Sequence, residues 1–317
     1  EYNFSLDSKI IFGLDNEFDR AKFQKDWPTD YLESDEAIYS QYLDFQFRPF
    51  QQVYTTVGLR RDDHTTAGDY NTGRLTLAYK MNNQSKIRSS YGTGLRFPSL
   101  YDYFYGTVVT NKESLKPEKS KSFDAGYETN IPKIKTDLIL SFYKIKYIDP
   151  LEGWESNGWK VKNSKGKIKS KGIELTSIWK PKNNFNLSLN YNYSDTYDGA
   201  DCDDPDAGVG ICIDESMARV PRHALSSIIT YKKGKNLTNK LLIGYSGEVR
   251  DYGNTNNGFK DVILDDYLKF DYKLNYNLND NYKIYFNINN IFDQNYEKAF
   301  MYSSMGRSMN VGIKKIF

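Results

Sequence analysis

No stretch of this chain of 317 residues offers the ~20 nearly uninterrupted apolar residues that a membrane-crossing helix requires, so a helical span is excluded. Histidine is almost missing. The two that exist, His64 and His223, lack the serine and acid neighbours of a hydrolytic triad, which leaves catalysis without a candidate and predicts a protein that is not an enzyme. Net charge is also nearly absent: 43 Lys+Arg against 41 Asp+Glu give +2, too small a balance to attract nucleic acid as a partner. Cysteine is limited to Cys202 and Cys212, so no disulfide framework holds the fold. Both lie in one acidic stretch, which reads as a local disulfide in an oxidising compartment; the plainer reading is two free thiols in a loop. Proline occurs only 9 times, and no segment has the alanine- and glutamate-rich look of a long helix.

Aromatic residues are abundant instead: Tyr 27 and Phe 18 bring the aromatic content to 15%, a usage that favours strands. The mean hydropathy of -0.70 would argue against a membrane protein built of helices. A transmembrane β-barrel avoids that objection, because only alternate residues face lipid while the others face a wet or plugged lumen. The alternation is plain in the sequence. Phe185, Leu187, Leu189, Tyr191 and Tyr193 fall on one side of a strand, with Asn186, Ser188, Asn190, Asn192 and Ser194 on the other. Leu268, Phe270, Tyr272, Leu274, Tyr276 and Leu278 likewise oppose Lys269, Asp271, Lys273, Asn275 and Asn277, and Tyr282, Ile284, Phe286 and Ile288 oppose Lys283, Tyr285, Asn287 and Asn289.

Strands are expected near 9–22, 33–48, 52–64, 71–81, 85–96, 119–130, 134–148, 167–180, 184–196, 221–233, 238–251, 264–278, 281–292 and 307–317. With Glu1 to Leu6 ending an earlier one, the total is about fifteen. Tight turns are expected at 48–51, 82–84, 131–133, 181–183, 233–235 and 279–281, and long loops at 97–118, 149–166, 197–220 and 293–306. Short turns on one rim and long loops on the other are the pattern of transmembrane barrels. A start inside a strand, at Glu1, and an odd strand count point to part of a longer barrel wall, and the terminal Phe317 suits an outer-membrane barrel. The expected fold is all-β: a partial, transmembrane antiparallel β-barrel.

Ordered motifs strengthen this. Tyr91-Gly92-Thr93-Gly94-Leu95-Arg96-Phe97-Pro98-Ser99-Leu100-Tyr101 is followed by Leu115-Lys116-Pro117-Glu118 and Gly126-Tyr127-Glu128. Then come Lys171-Gly172-Ile173-Glu174-Leu175, Val220-Pro221-Arg222-His223, Asn289-Asn290-Ile291-Phe292-Asp293-Gln294-Asn295-Tyr296-Glu297 and Gly306-Arg307-Ser308. Together they resemble the C-terminal barrel part of TonB-dependent outer-membrane receptors. Within that family the ending through Tyr302 to Arg307 and the strand bearing Asp265-Asp266-Tyr267 are most similar to vitamin B12 (cobalamin) receptors; siderophore and haem receptors share the same grammar. The resemblance implies a barrel of about 22 strands, of which residues 1–317 supply the last part, with the N-terminal plug and first strands outside this chain. It further implies a Gram-negative outer membrane, contact with its lipid, a plug inside the lumen, and a TonB box that recruits the TonB-ExbB-ExbD complex. The ligand it implies is a small molecule, cobalamin or a metal chelate. A passive porin-like channel, an outer-membrane hydrolase and a soluble β-rich binding domain are the alternatives.

Candidate ligand residues lie in the long loops. Tyr101, Tyr103 and Tyr105, with Asp102 and Phe104 between them, can stack on a large flat ligand, or pack the loop against its neighbours, or join an aromatic girdle. Trp154 and Trp159 carry the same alternatives, and Tyr197 and Tyr252 join them. Arg219 and Arg250, with Arg222, sit where loops meet strands; they are placed for an anionic ligand, for plug carboxylates or for ion pairs in the wall. Asp201, Asp203, Asp204 and Asp206 form an acidic loop tip that lacks the ligand order of an EF-hand, leaving calcium as a second reading beside plain solvation. No other cofactor is expected.

Overall fold

A strand satisfies none of its own backbone N–H and C=O groups, so segments as long as these persist only by pairing with neighbours. In the computed structural model, which describes residues 2–5, 8–26, 30–104, 115–151, 153–155, 160–164, 166–199, 216–255 and 258–315, they do so as one large sheet. The chain opens with β1 (Tyr2–Ser5), β2 (Ser8–Asp26), β3 (Asp30–Phe50), β4 (Val53–His64), β5 (Gly68–Lys80) and β6 (Ser85–Arg96). A short helix α1 (Leu100–Phe104) follows, then β7 (Glu118–Ile131) and β8 (Thr136–Ile148). A small hairpin, β9 (Gly153–Glu155) and β10 (Lys160–Lys162), precedes β11 (Ile168–Lys182), β12 (Phe185–Asp198), β13 (His223–Lys233) and β14 (Leu237–Ser246). A second hairpin, β15 (Val249–Thr255) and β16 (Gly258–Leu264), leads into β17 (Tyr267–Asn277) and β18 (Tyr282–Asn289). A third, β19 (Glu297–Ala299) and β20 (Tyr302–Ser303), precedes β21 (Ser308–Lys315).

The wall is a 15-stranded antiparallel meander in chain order from β1 to β21, stepping over the three loop hairpins. Its register carries the polarity of each strand to the next. Ala125, Phe142, Ile173, Tyr193 and His223 lie side by side across five strands, and Leu187, Ile229, Leu241, Tyr272, Ile288 and Met309 across six. The apolar band is therefore continuous and leaves large side chains such as Leu59, Phe142 and Ile313 open to the surroundings. The opposite face is polar and closely filled. Arg88 donates to Glu128 at 3.0 Å, to Asp124 at 3.4 Å and to Ser141 at 3.0 Å. On the same face Ser40 donates to Asp62 at 2.6 Å, and Asp62 also accepts from Arg60 at 2.7 Å. Oil on one face and paired charges on the other define a transmembrane β-barrel wall.

Two glycines are required, one by its backbone conformation and one by what lies beside it. Gly234, in the turn between β13 and β14, has φ +63, where a side chain is strained. Gly172 faces Tyr143: a Cβ there would stand 2.3 Å from the Tyr193 carbonyl oxygen and 2.6 Å from the Tyr143 hydroxyl. The strands begin and end close to their expected positions, with two differences. The strand expected over 238–251 is two, because pairing with β13 ends at Ala224 opposite Ser246. Gly247 then donates its N–H to the His223 carbonyl at 2.8 Å and the chain leaves the wall for a separate hairpin. In the other direction, β2 and β3 run past their expected ends and stay paired as far as Asp26 opposite Asp30. Phe317 lies outside the described residues.

Candidate functional site

The long connections gather at one rim, where they build two clusters. The first belongs to the loop after β6. Pro98 ends the strand because it has no N–H for the ladder, and Asp102 then accepts from the Ser99 N–H at 2.8 Å and from its hydroxyl at 2.9 Å, capping α1. Arg96 ties α1 to β7, 3.7 Å from Asp102 and 3.4 Å from Glu118. Tyr103 is fully buried and packs with Leu115, Leu151 and Val161. Burial, then the carboxylates of Glu36 and Asp102, push its phenol well above the ordinary tyrosine range. Tyr103 thus joins the loop to its neighbours, while Tyr101, on the same helix, is 55% exposed. Beside them Phe97 stacks on buried His64 with ring centroids 4.6 Å apart, and the His64 Nδ1 accepts the Thr66 and Ala67 N–H groups.

The second cluster unites three of the candidate residues. Arg250, on β15, is completely buried; its Nε donates to Asp261 at 3.0 Å, its Nη2 to the same carboxylate at 3.3 Å, and its Nη1 to the Ser216 carbonyl at 2.7 Å. The guanidinium also lies 4.9 Å from the centroid of the Tyr252 ring. Arg219, whose own N–H donates to the Arg250 carbonyl at 2.7 Å, donates through Nε to Asp251 at 2.8 Å. Asp251 in turn accepts the Phe300 N–H at 2.7 Å and the Tyr252 N–H at 2.8 Å. Burial alone would raise the Asp251 carboxyl, but the two backbone N–H donors and the Arg219 guanidinium outweigh it and hold the group below its ordinary range. The Phe300 ring fills the space over Gly253, where a Cβ would come within 2.6 Å of it. Three contacts therefore clip three loops together: Arg219 to Asp251 and Arg250 to the Ser216 carbonyl tie residues 216–222 to the β15–β16 hairpin, and the Phe300 N–H to Asp251 ties in the β19–β20 hairpin, while the Arg250–Asp261 pair braces the β15–β16 hairpin itself.

Beside this clip opens a cavity of about 380 Å³ lined by Ser194, Thr196, Arg222, Glu248, Arg250 and Asp266, among others. Both charge signs and two hydroxyls suit an oxygen-rich polar ligand held by hydrogen bonds. Among the described residues no group of three or more histidine, cysteine, aspartate or glutamate side chains is placed to hold a metal ion. Tyr197 stands apart from this mouth: it shares the outward side of β12 with Tyr191 and Tyr193, and Lys169 lies 4.7 Å over its ring. Trp154 lies on β9, but its side chain is outside the described residues, as are Tyr105, Trp159, Cys202, Cys212, Asp201, Asp203, Asp204 and Asp206. Sequence reasoning missed Asp251 and Asp261, whose only signal was an acid on each strand of the hairpin that carries Arg250.

A wall of this kind, polar within and carrying a mouth of clipped loops, places the molecule among outer-membrane receptor barrels. The chain matches the family described as TonB dependent receptor-like, beta-barrel, over residues 1–291. It is 23% identical over 302 residues to the vitamin B12 transporter BtuB of Vibrio vulnificus (strain YJ016), covering 94% of this chain and 44% of that protein. It is 26% identical over 247 residues to the probable TonB-dependent siderophore receptor PiuA of Acinetobacter baumannii, covering 72% of this chain and 31% of that protein. The solved siderophore receptor PirA from Acinetobacter baumannii superposes with a TM-score of 0.79 at 17% identity, over 100% of this chain and 53% of that one. The chain thus spans about half the length of the proteins it matches, or less. It belongs to the TonB-dependent receptor β-barrel family.

Proposed function

We propose that this chain forms the wall and outer mouth of a receptor in the outer membrane of a Gram-negative bacterium that takes up cobalamin by TonB-dependent active transport. The observation that carries the reading is the mouth itself: a polar cavity beside three loops that are tied together by the Arg219–Asp251, Arg250–Ser216 and Phe300–Asp251 contacts above a charged lumen. Loops held in place before binding lower the ordering cost that a ligand must meet. The B12 transporter relative, aligned over 94% of the chain, favours cobalamin; the siderophore receptor relative supports a ferric-chelate ligand as the second reading. In the full-length receptor the polar lumen face would meet a plug, and a TonB box on that plug would recruit TonB-ExbB-ExbD. Calcium bound by the acidic stretch Asp201 to Asp206, and a Cys202–Cys212 disulfide, are proposals for the same external surface.

Labelled cobalamin and a labelled ferric siderophore, offered to cells with and without the full-length gene, test the substrate. Loss of cobalamin uptake alone is the expected outcome; unchanged cobalamin uptake with loss of the iron chelate would move the protein to the second reading. Uptake that persists after the proton gradient is collapsed would instead mark a passive channel.

A further inference from the structure

We propose, resting on the transport reading, that the lumen face of β11, β12, β13 and β14 is the track along which an imported molecule leaves the mouth, and that it suits an uncharged molecule rich in amide and hydroxyl groups. On β12, Asn186, Ser188, Asn190, Asn192, Ser194 and Thr196 occupy successive lumen-facing positions, and none is charged. The register spreads that character sideways. Asn192 lies opposite Ala224, which lies opposite Ser246; Asn190 lies opposite Ser226, which lies opposite Gly244. On the other flank Gly172 and Thr176 lie opposite Ser194 and Asn190.

The earlier strands present a different lumen face. Arg60 pairs with Asp15 at 3.6 Å and with Asp62 at 2.7 Å, and Lys86 with Glu128 at 2.9 Å, while Asp44 and Arg74 flank Gly58 in one row. Such fixed charges give a plug groups to bind by charge-assisted hydrogen bonds. Between Lys240 and the mouth, the β11–β14 sector carries one charge among the described residues, Glu174. A plug therefore meets little there to hold it, and this side of the lumen is the one that yields.

The space along β12 is continuous with the mouth. Ser194 and Thr196 line the mouth cavity. The next two lumen positions below them, Asn192 and Asn190, line a cleft of about 340 Å³ together with Glu174, Thr176, Ala224 and Ser226. Its walls are hydrogen-bonding groups: the Thr176 hydroxyl donates to Asn190 Oδ1 at 3.0 Å, and Asn190 Nδ2 donates to the Ser226 hydroxyl at 3.4 Å. A molecule stepping down such a row exchanges one neutral hydrogen bond for another of similar strength, so each position is sticky enough to enter and weak enough to leave. The one charge bordering the cleft is an acid, which opposes an anionic chelate and favours a neutral ligand.

Full-length receptor carrying one added cysteine at a time tests the track: Asn190→Cys or Ser226→Cys in this sector, and Thr76→Cys on the lumen face of β5 among the charged strands. The receptor without an added cysteine gives the background from Cys202 and Cys212, and each variant is first checked for the wild-type heat-modifiable gel shift. In outer-membrane preparations a polar maleimide should label positions 190 and 226 faster than position 76 by about tenfold or more. In cells, the attached label at 190 or 226 should cut uptake of labelled cobalamin by about tenfold while binding at the cell surface persists. Equal labelling rates, or full uptake with the label in place, overturns the proposal. Import of an anionic ferric siderophore in preference to cobalamin overturns the ligand class. The labelling rates are read without transport, so equal rates in a receptor that imports normally would end this proposal alone, whereas a wild type that imports neither ligand would end the transport reading.

Discussion

Two tyrosines on one short helix divide the labour of the mouth. Replacing Tyr103 by alanine removes the buried partner of Leu115, Leu151 and Val161 and should cost about 3–5 kcal/mol of local stability, seen as faster proteolysis within residues 97–117. Tyr101→Ala, by contrast, should leave that loop resistant and lower ligand affinity, as titration of the full-length receptor would register. At Asp251 the sign of the pH effect follows from its lowered carboxyl. The group's contribution is complete above the ordinary carboxylate range and is lost as pH falls through the folded value, since only then does the folded state take up the proton. Protection of the Phe300 amide, corrected for intrinsic exchange, should therefore persist to unusually acidic pH and fall below it, and Asp251→Asn should weaken it already at neutral pH. Arg250→Ala leaves Asp261 buried without its cation and should be more severe, about 3–5 kcal/mol. The candidate list drawn from the sequence contained the arginines but not their acids. An arginine beside a loop is visible as a residue type; the acid it meets across a hairpin depends on register, which composition does not encode.

The wall strands were legible because a period of two is imposed on every one of them by the same pair of surroundings. Leu189 and Asn190 are adjacent, yet face opposite media, so Leu189→Arg should cost about 2–4 kcal/mol near the bilayer centre while Asn190→Arg should be nearly neutral. Urea titration of the full-length receptor in lipid vesicles separates the two. Gly172→Val should be worse tolerated than either neighbour's exchange for valine, because the strand has no room between Tyr143 and Tyr193. The three loop hairpins escaped notice for the converse reason. β9, β10, β19 and β20 have two or three residues each, too few for alternation to register, and β15 carries charge on both sides because Arg250 pairs within the hairpin and Asp251 with a neighbouring loop. The motif at the end of the chain became intelligible only in three dimensions. Asn290 (φ 53) and Asp293 (φ 54) turn the backbone, Asn290 exchanges two hydrogen bonds with Gln294, and Asp293 accepts the Arg307 N–H at 2.6 Å across Gly306. A Cβ on Gly306 would stand 2.8 Å from that carboxylate.

For the molecule as a whole, the order of the sheet matters most. β1 and β21 stand at its two ends and do not pair with each other, and an unpaired strand edge in hydrocarbon costs several kcal/mol for each bare group. Residues 1–317 expressed alone should therefore lack the heat-modifiable gel shift of a closed barrel, and the full-length receptor should show it. If the isolated piece resisted unheated detergent as the whole protein does, the wall would be closing by itself. A further consequence follows from the long pairing of β2 with β3. A bilayer occupies only about 9–11 residues of a tilted strand, whereas these have 19 and 21 and remain paired as far as Asp26 opposite Asp30. The surplus residues of both strands therefore extend past the hydrocarbon as a paired ribbon whose backbone groups are already engaged, which leaves little there for a protease that must draw its substrate into an extended strand.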